Sequence, residues 1–238
     1  MHYHAKLRSI RLVSIITEEK DVNLLINSMS SIIPSSAEID WQVYCPVILR
    51  EYVSLKISGM SKAAQCTSGT IEVNSPNVVP RYGLYFSHAL SRIKGDKIPF
   101  LINVPPGTLF SYALLKELET VVNSSYGNPV GFTSANLSKP LKDMYRSIRN
   151  LVATVIKRGA NDIGYYYWSM GNGYPISMSL DAIPRVFLLP FQAIDRLLEK
   201  EALYSVAASE DLATLQMLLL DMFKSCDYIL GVNAYRAD

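Results

Sequence analysis

Hydrophobic positions along the chain alternate between strand-like runs and stretches with helical spacing. Residues 10–16 form a β-branched run, and residues 18–31 follow with apolar positions three and four apart. The pattern predicts further helices at residues 50–57, 109–122, where Thr108 is a candidate cap, and 141–150. Further strands are predicted at residues 47–49, 69–73, 82–86, 99–104, 129–132, 151–156, 163–168, 175–181 and 185–189.

This order of elements predicts an α/β or α+β protein, with a twisted mixed β-sheet and helices on its faces. The helices predicted after Pro190 break the alternation, so we place a boundary there. Residues 1–190 would form the main domain and residues 191–238 a C-terminal helical extension. The last predicted helix, about residues 210–226, is apolar around most of its circumference. We expect it to pack against the main domain or, as the less favoured alternative, to form a homodimer interface.

Composition narrows the class of protein. The 238 residues are 49% hydrophobic and 18% charged, which is typical of a globular chain with a sizeable core. The net charge is only +2, so the bulk charge does not require a polyanionic partner. Aliphatic runs are too short to cross a bilayer and no signal peptide is evident, which favours a cytoplasmic protein without membrane contact. The 3 cysteines are scattered, which predicts free thiols and no metal site.

Small polar residues follow the strand predicted at residues 129–132. Thr133, Ser134, Asn136 and Ser138 would bring N–H groups, hydroxyls and an amide close to a ligand, as suits the phosphates or ribose of a nucleotide. The alternative is an ordinary turn in which these side chains bond to their own backbone. Taken alone, these residues favour the turn.

The segment FTSANLSKP, residues 132–140, resembles the signature loop of the YrdC-like family, the threonylcarbamoyl-adenylate synthases and their relatives. In that family Ser-Ala-Asn lines a nucleotide pocket. Weaker matches of pattern and order extend over residues 9–190, with LVSIITEEKDV at the strand that enters the site and GNGYPISMSLD at a later strand. The resemblance implies a YrdC-like sheet and a nucleotide site formed by Thr17, Thr133, Ser134, Asn136 and Ser177.

The resemblance also implies a reaction and its ligands. Members of the family join threonine, bicarbonate and ATP, with Mg²⁺, into L-threonylcarbamoyladenylate for tRNA modification. This sequence departs from the pattern, because residues 38–42 lack the expected Lys-x-Arg pair and Asn103 stands where an arginine is expected. Loss of one such donor costs on the order of a hundredfold in rate. We therefore expect the pocket to be better preserved than catalysis, unless Arg50, Lys56 or Lys62 substitutes.

A basic stretch follows directly on the signature segment. Lys142, Arg146 and Arg149 would share one helix face, with Lys139 just before them. Such a face can bind the phosphate backbone of tRNA or another RNA. A solvated helix face explains the same residues equally well. The aromatic residues at 165–168 would serve base stacking or, for at least half of them, core packing.

Three functions are consistent with these features. The favoured one is a divergent YrdC-like domain that keeps a nucleotide or RNA cleft, with the synthase activity weakened or lost. The second is a working L-threonylcarbamoyladenylate synthase that uses substitute cations. The third is a non-catalytic protein whose C-terminal helices bind a partner.

Overall fold

The computed structural model describes residues 9–31, 38–60, 69–96, 100–110, 129–136, 154–159, 164–169, 175–180, 185–223 and 225–236. The helices in these ranges are α1 (Lys20–Ser31), α2 (Val47–Ser58), α3 (Tyr82–Asp96), α4 (Phe191–Leu197), α5 (Lys200–Ala208) and α6 (Leu212–Phe223). The strands are β1 (Ser9–Ile15), β2 (Glu38–Tyr44), β3 (Gly69–Asn74), β4 (Phe100–Asn103), β5 (Thr108–Phe110), β6 (Val130–Asn136), β7 (Thr154–Gly159), β8 (Gly164–Ser169), β9 (Pro175–Leu180), β10 (Phe187–Pro190) and β11 (Ser225–Arg236).

The centre of the sheet has the strand order β3-β2-β1-β4-β10-β6. Strands β3, β2, β1 and β4 are parallel, whereas β10 runs antiparallel to both of its neighbours, β4 and β6. Strand β6 therefore points the same way as β1 to β4. We call the side of the sheet where these five strands end, and where β10 begins, the carboxyl edge.

Two hydrophobic layers cover the faces of this sheet. Alternation along β1 points Ile10 and Leu12 into one layer and Val13 and Ile15 into the other. The first layer packs against α1 and α2, and the second against α3 to α6. The predicted α/β class is confirmed: a mixed sheet lies between helices.

The C-terminal part contains helices, as predicted, but the last of them ends at Phe223, and residues 225–226, which were predicted to belong to it, begin a strand that the sequence did not indicate. Helices α4, α5 and α6 contribute Ile194, Val206 and Leu215 to the same buried layer as α3. Strand β11 pairs in parallel with β6 and so returns the chain to the sheet. The boundary at residue 190 stays a prediction. Residues 225–236, which lie beyond this boundary, pair with the main sheet through β6.

Some predicted elements were wrong in type. Residues 82–86 begin α3 rather than a strand, because the apolar positions continue with helical spacing through Ala89, Leu90 and Ile93. Residues 47–49 are the first turn of α2 rather than a strand. Residues 108–110 are strand β5, and the rest of the helix predicted at 109–122 lies outside the described residues, as does that predicted at 141–150. No helix within the described ranges is both long enough and apolar enough to cross a membrane.

Candidate functional site

The carboxyl edge collects polar and charged residues because each parallel strand there turns into a loop or helix. Thr17 follows β1 and is exposed. Strand β2 runs through Cys45 and Pro46 into α2, β3 ends at Asn74, and β4 ends at Asn103. Ligands of open α/β sheets bind outside these strand ends. A ligand site is therefore expected at this edge.

Cationic side chains reach this edge from separate segments. Lys20 begins α1, Arg50 lies in the first turn of α2, Arg81 precedes α3 and Arg185 precedes β10, and each is exposed. Lys20 pairs with Glu18 at 2.6 Å, and the hydrogen bond to Glu18 raises the pKa of Lys20. The described residues supply no carboxylate within ion-pair distance of the three arginines.

Arg11 and Arg92, in contrast, each have a carboxylate partner. Arg11, near the start of β1, donates to the Asp40 carboxylate at 2.9 Å through Nε. Arg92, in the second half of α3, pairs with both carboxylate oxygens of Glu72 at 3.0–3.2 Å.

Arg196 in α4 also lacks a carboxylate partner among the described residues, but it donates to the Met222 carbonyl at 3.2 Å and lies over the Phe223 ring. The three exposed arginines of the carboxyl edge are therefore the ones we assign to an anion.

Asn103 connects α3 to the segment that carries Arg185. Its side chain is fully buried at the end of β4. The Tyr82 hydroxyl donates to Asn103 Oδ1 at 2.9 Å, and Asn103 Nδ2 donates to the Arg185 carbonyl at 3.0 Å. Burial raises the pKa of Tyr82, although the bond to Asn103 opposes that shift, so the hydroxyl stays protonated and able to donate.

The residue after Arg185 is held as well. Val186 accepts a hydrogen bond from the Phe132 backbone N–H at 3.0 Å, which ties the start of β10 to β6. The turn at residues 185–186 is thus anchored on the β4 side by Asn103 and on the β6 side by Phe132. Arg185 consequently projects from a fixed backbone.

The start of α3 is closed by the connection between α5 and α6. The backbone N–H groups of Tyr82 and Gly83 donate to the carbonyls of Glu210 and Ser209, at 3.2 and 3.0 Å. These groups would otherwise lack partners at a helix N-terminus. The C-terminal helices therefore contact the carboxyl edge directly.

The structure places the predicted nucleotide residues in two separate parts of this edge. Thr17 is exposed at the end of β1. Thr133, Ser134 and Asn136 lie in the last part of β6, separated from β1 by β4 and β10. Three inter-strand steps amount to about 14 Å. Ser177 lies in β9, opposite Tyr167 of β8.

The expected loop after residue 132 was wrong for residues 133–136. Strand β6 continues to Asn136, and its backbone pairs with β9 at Ser134 and with β11 on the other side. A backbone nest for an anion needs N–H groups that are not used by a sheet. The binding roles assigned to the side chains of Thr133, Ser134, Asn136 and Ser177 stay predictions.

Other predicted residues divide by position. Arg50 lies at the carboxyl edge, whereas Lys56 lies in the last turn of the same helix, about 9 Å further along its axis. Lys62 and the candidate RNA-binding residues Lys139, Lys142, Arg146 and Arg149 are outside the described residues. The aromatic run at 165–168 lies in β8, in agreement with the strand predicted at 163–168. Within the described residues, no three His, Cys, Asp or Glu side chains gather as metal ligands would.

Sequence reasoning missed Tyr82 and did not recognise the use of Asn103 and Arg185. Tyr82 was read as part of a strand, and Asn103 was noted only for lacking a positive charge. Their contact depends on α3 passing the end of β4, which is a long-range feature. The helical spacing of apolar residues after Tyr82 was the available signal.

Comparisons with known proteins bear on the fold. No family model matches the chain, and no curated protein matches it. Among solved structures, S. aureus TarS 1-349 aligns with a TM-score of 0.55 and 11% identity over 96% of this chain. The structure of S. aureus TarS 1-349 in complex with UDP aligns with a TM-score of 0.50 and 11% identity over 96% of this chain.

These alignments show a shared α/β fold. The chain spans 60% of the length of the TarS 1-349 structures. The resemblance to the YrdC-like family is left as a prediction by these comparisons.

Proposed function

We propose that this chain binds a nucleoside diphosphate at the carboxyl edge, between the ends of β1 and β4 and the start of β10. The observation that carries the proposal is the set of exposed arginines at this edge that have no carboxylate partner among the described residues, on a fold that in TarS has been solved with UDP. The same arginines and the same shared fold also support the more general proposal that the chain is a nucleotide-binding α/β domain.

The charges favour a ligand with more than one phosphate. Arg50, Arg81 and Arg185 come from different segments and would approach a ligand from different sides. Guanidinium groups match phosphate oxygens with paired hydrogen bonds. A diphosphate offers enough phosphate oxygens for more than one arginine, whereas a free nucleoside has no phosphate oxygens.

The base and ribose would lie toward the hydroxyl-bearing ends of the strands. Thr17 is exposed after β1, and the polar residues at the end of β6 lie on the same edge. Hydroxyls and amides supply neutral donors and acceptors of the kind that ribose and base edges require. In this proposal Thr17 and Asn136 still contact the nucleotide, as the sequence predicted. They do so from separate strand ends and not from one compact loop.

Titration calorimetry on the full chain tests the proposal, with UDP, uridine and ATP as ligands and with Mg²⁺ present and absent. We expect saturable binding of UDP, and uridine to bind at least on the order of tenfold more weakly, because charge-assisted bonds contribute about 1.5–3 kcal/mol each. Absence of UDP binding at millimolar concentration would contradict the proposal.

A pair of variants on α2 locates the site. Arg50→Ala removes a cation at the carboxyl edge, and Lys56→Ala removes one from the other end of the same helix. We expect weaker UDP binding in the first variant and unchanged binding in the second. Equal effects would place the ligand elsewhere. Binding of ATP that is strengthened by threonine and bicarbonate would instead support the synthase suggested by the family resemblance.

A further inference from the structure

We propose that Tyr82 is a positioning residue for the nucleotide site: through Asn103 it fixes the backbone that presents Arg185 to the ligand phosphates. This inference rests on the proposed function and adds a mechanism for one part of the site. It concerns a buried phenol that the ligand itself would not touch.

Both hydrogen bonds of this series are donated in the same direction, from Tyr82 toward Arg185. The Tyr82 hydroxyl donates to Asn103 Oδ1 at 2.9 Å, and Asn103 Nδ2 donates to the Arg185 carbonyl at 3.0 Å. A carbonyl only accepts, so the amide nitrogen of Asn103 must face Arg185 and its oxygen must face Tyr82. The Arg185 carbonyl thus determines which way the amide is turned, and the Tyr82 hydroxyl holds the amide in that orientation by donating to its oxygen.

Tyr82 is itself held rigidly. Its backbone N–H donates to Glu210, and the neighbouring Gly83 N–H donates to Ser209. A Cβ atom on Gly83 would lie 2.0 Å from the Val206 carbonyl oxygen, so α3 and α5 approach each other as closely as backbone allows. A side chain anchored on such a support has little freedom to follow Asn103 if the turn at Arg185 moves.

Arg185, the last residue of this hydrogen-bonded series, is suited to bind an anion. Arg185 is exposed, and it forms no ion pair with any residue that the structure describes. Its backbone is fixed by Asn103 on one side, and Val186 is fixed by Phe132 on the other. A preorganised cation loses less freedom on binding than one on a mobile loop, which raises affinity.

Tyr85 provides a matched control on the same helix. It is completely buried, and its hydroxyl has no hydrogen-bond partner among the described residues. Tyr85→Phe therefore removes a phenol hydroxyl from α3 without breaking a described hydrogen bond. Tyr82→Phe removes one that reaches Asn103.

The experiment measures UDP and uridine affinity by calorimetry for wild type, Y82F, Y85F, R185A and the double variant Y82F/R185A. We expect Y82F and R185A each to weaken UDP binding by about tenfold, with uridine binding unchanged, since charge-assisted bonds are the ones affected. The double variant should bind UDP about as weakly as R185A alone, because both changes act on the same contact. Y85F should bind UDP as wild type does.

The outcomes separate this inference from the proposed function. If wild type binds no UDP, both fail. If wild type binds UDP and Y82F binds it equally well, or if Y82F and R185A effects add fully, the positioning role fails and the nucleotide site remains. An equal loss of UDP and uridine affinity in Y82F would indicate a structural role and would also overturn the inference.

A measurement on the wild-type chain covers the case in which Y82F does not fold. The side-chain amide of Asn103, labelled with ¹⁵N, is bonded to the Arg185 carbonyl. Its NMR signal should shift on addition of UDP and should stay in place on addition of uridine. An Asn103 amide signal that does not shift on addition of UDP would contradict the inference.

Discussion

Gly83 and Val206 approach so closely that a Cβ atom on Gly83 would lie 2.0 Å from the Val206 carbonyl oxygen. The same Cβ would lie 2.7 Å from the Ser209 carbonyl. This contact fixes α3 against α5 and sets the position of Tyr82, the next residue toward the carboxyl edge. The packing of the C-terminal helices is thereby linked to the candidate site.

Gly83→Ala should destabilise the protein by about 3 kcal/mol or more, because backbone atoms rather than a flexible side chain stand in the way. Gly59→Ala is the control. A Cβ there would meet Leu55 and Lys56 carbonyls at ordinary distances of 3.5 and 3.6 Å. Urea denaturation should show a large loss for the first variant and little change for the second. Comparable midpoints would mean that α3 and α5 are further apart than described.

Tyr85→Phe should leave stability unchanged or raise it. The hydroxyl is buried without a described hydrogen-bond partner, and burial raises the pKa of Tyr85. Removing an unsatisfied polar group avoids a desolvation cost of about 1–3 kcal/mol. Thermal denaturation followed by circular dichroism measures the effect. A clear loss of stability would reveal a partner for the hydroxyl.

The Arg11–Asp40 and Arg92–Glu72 ion pairs should differ in their contribution to stability. Arg11 and Asp40 have side chains exposed by only 7% and 16%, whereas those of Arg92 and Glu72 are 42% and 48% exposed. Asp40→Ala should cost about 3–5 kcal/mol, because it leaves a buried guanidinium without this partner. Glu72→Ala should cost at most about 1 kcal/mol.

Chemical denaturation of both variants at low and high salt checks this difference. The effect of Glu72→Ala should shrink at high salt, whereas that of Asp40→Ala should persist, because salt screens exposed pairs far more than buried ones. The same salt dependence for both variants would contradict the burial of the Arg11–Asp40 pair.

Asp211 should contribute a pH-dependent stabilisation of α6. Its carboxylate accepts hydrogen bonds from the Thr214 backbone N–H at 2.8 Å and from the Thr214 hydroxyl at 2.7 Å. These bonds lower the pKa of Asp211 below its ordinary value of 3.8. A lowered pKa in the folded state means that the stabilisation is present above the unfolded pKa and disappears as pH falls through the folded pKa.

Asp211→Ala should accordingly cost about 1 kcal/mol at neutral pH, as is typical for loss of a helix cap. The difference from wild type should narrow below about pH 3.8. Denaturation curves at pH 7 and pH 3 measure it. A difference that stays constant, or grows, on acidification would show that the carboxylate is not the stabilising group.

Local patterns predicted much of the sheet. The β-branched run at residues 10–16 and the alternation at 69–73, 163–168 and 175–181 correspond to β1, β3, β8 and β9. These segments carry their own period and flanking turn residues, so the sequence specifies them without knowledge of distant contacts. Helix α1 is predicted for the same reason.

The predictions of secondary structure failed at residues whose conformation is determined by tertiary contacts. Residues 133–136 are small and polar and were read as a loop, but pairing with β9 and β11 draws them into β6. A strand that receives its partners from residues 175–180 and 225–236 is not visible in its own composition. Tyr82 belongs to this group too, since only the fold brings it within 2.9 Å of Asn103.

The most direct measurement is a crystal structure of the chain with UDP. We expect electron density for the diphosphate at the carboxyl edge, within hydrogen-bond distance of Arg185 and near the ends of β1 and β4. UDP bound at any other surface, with Arg185 in contact only with solvent, would contradict it.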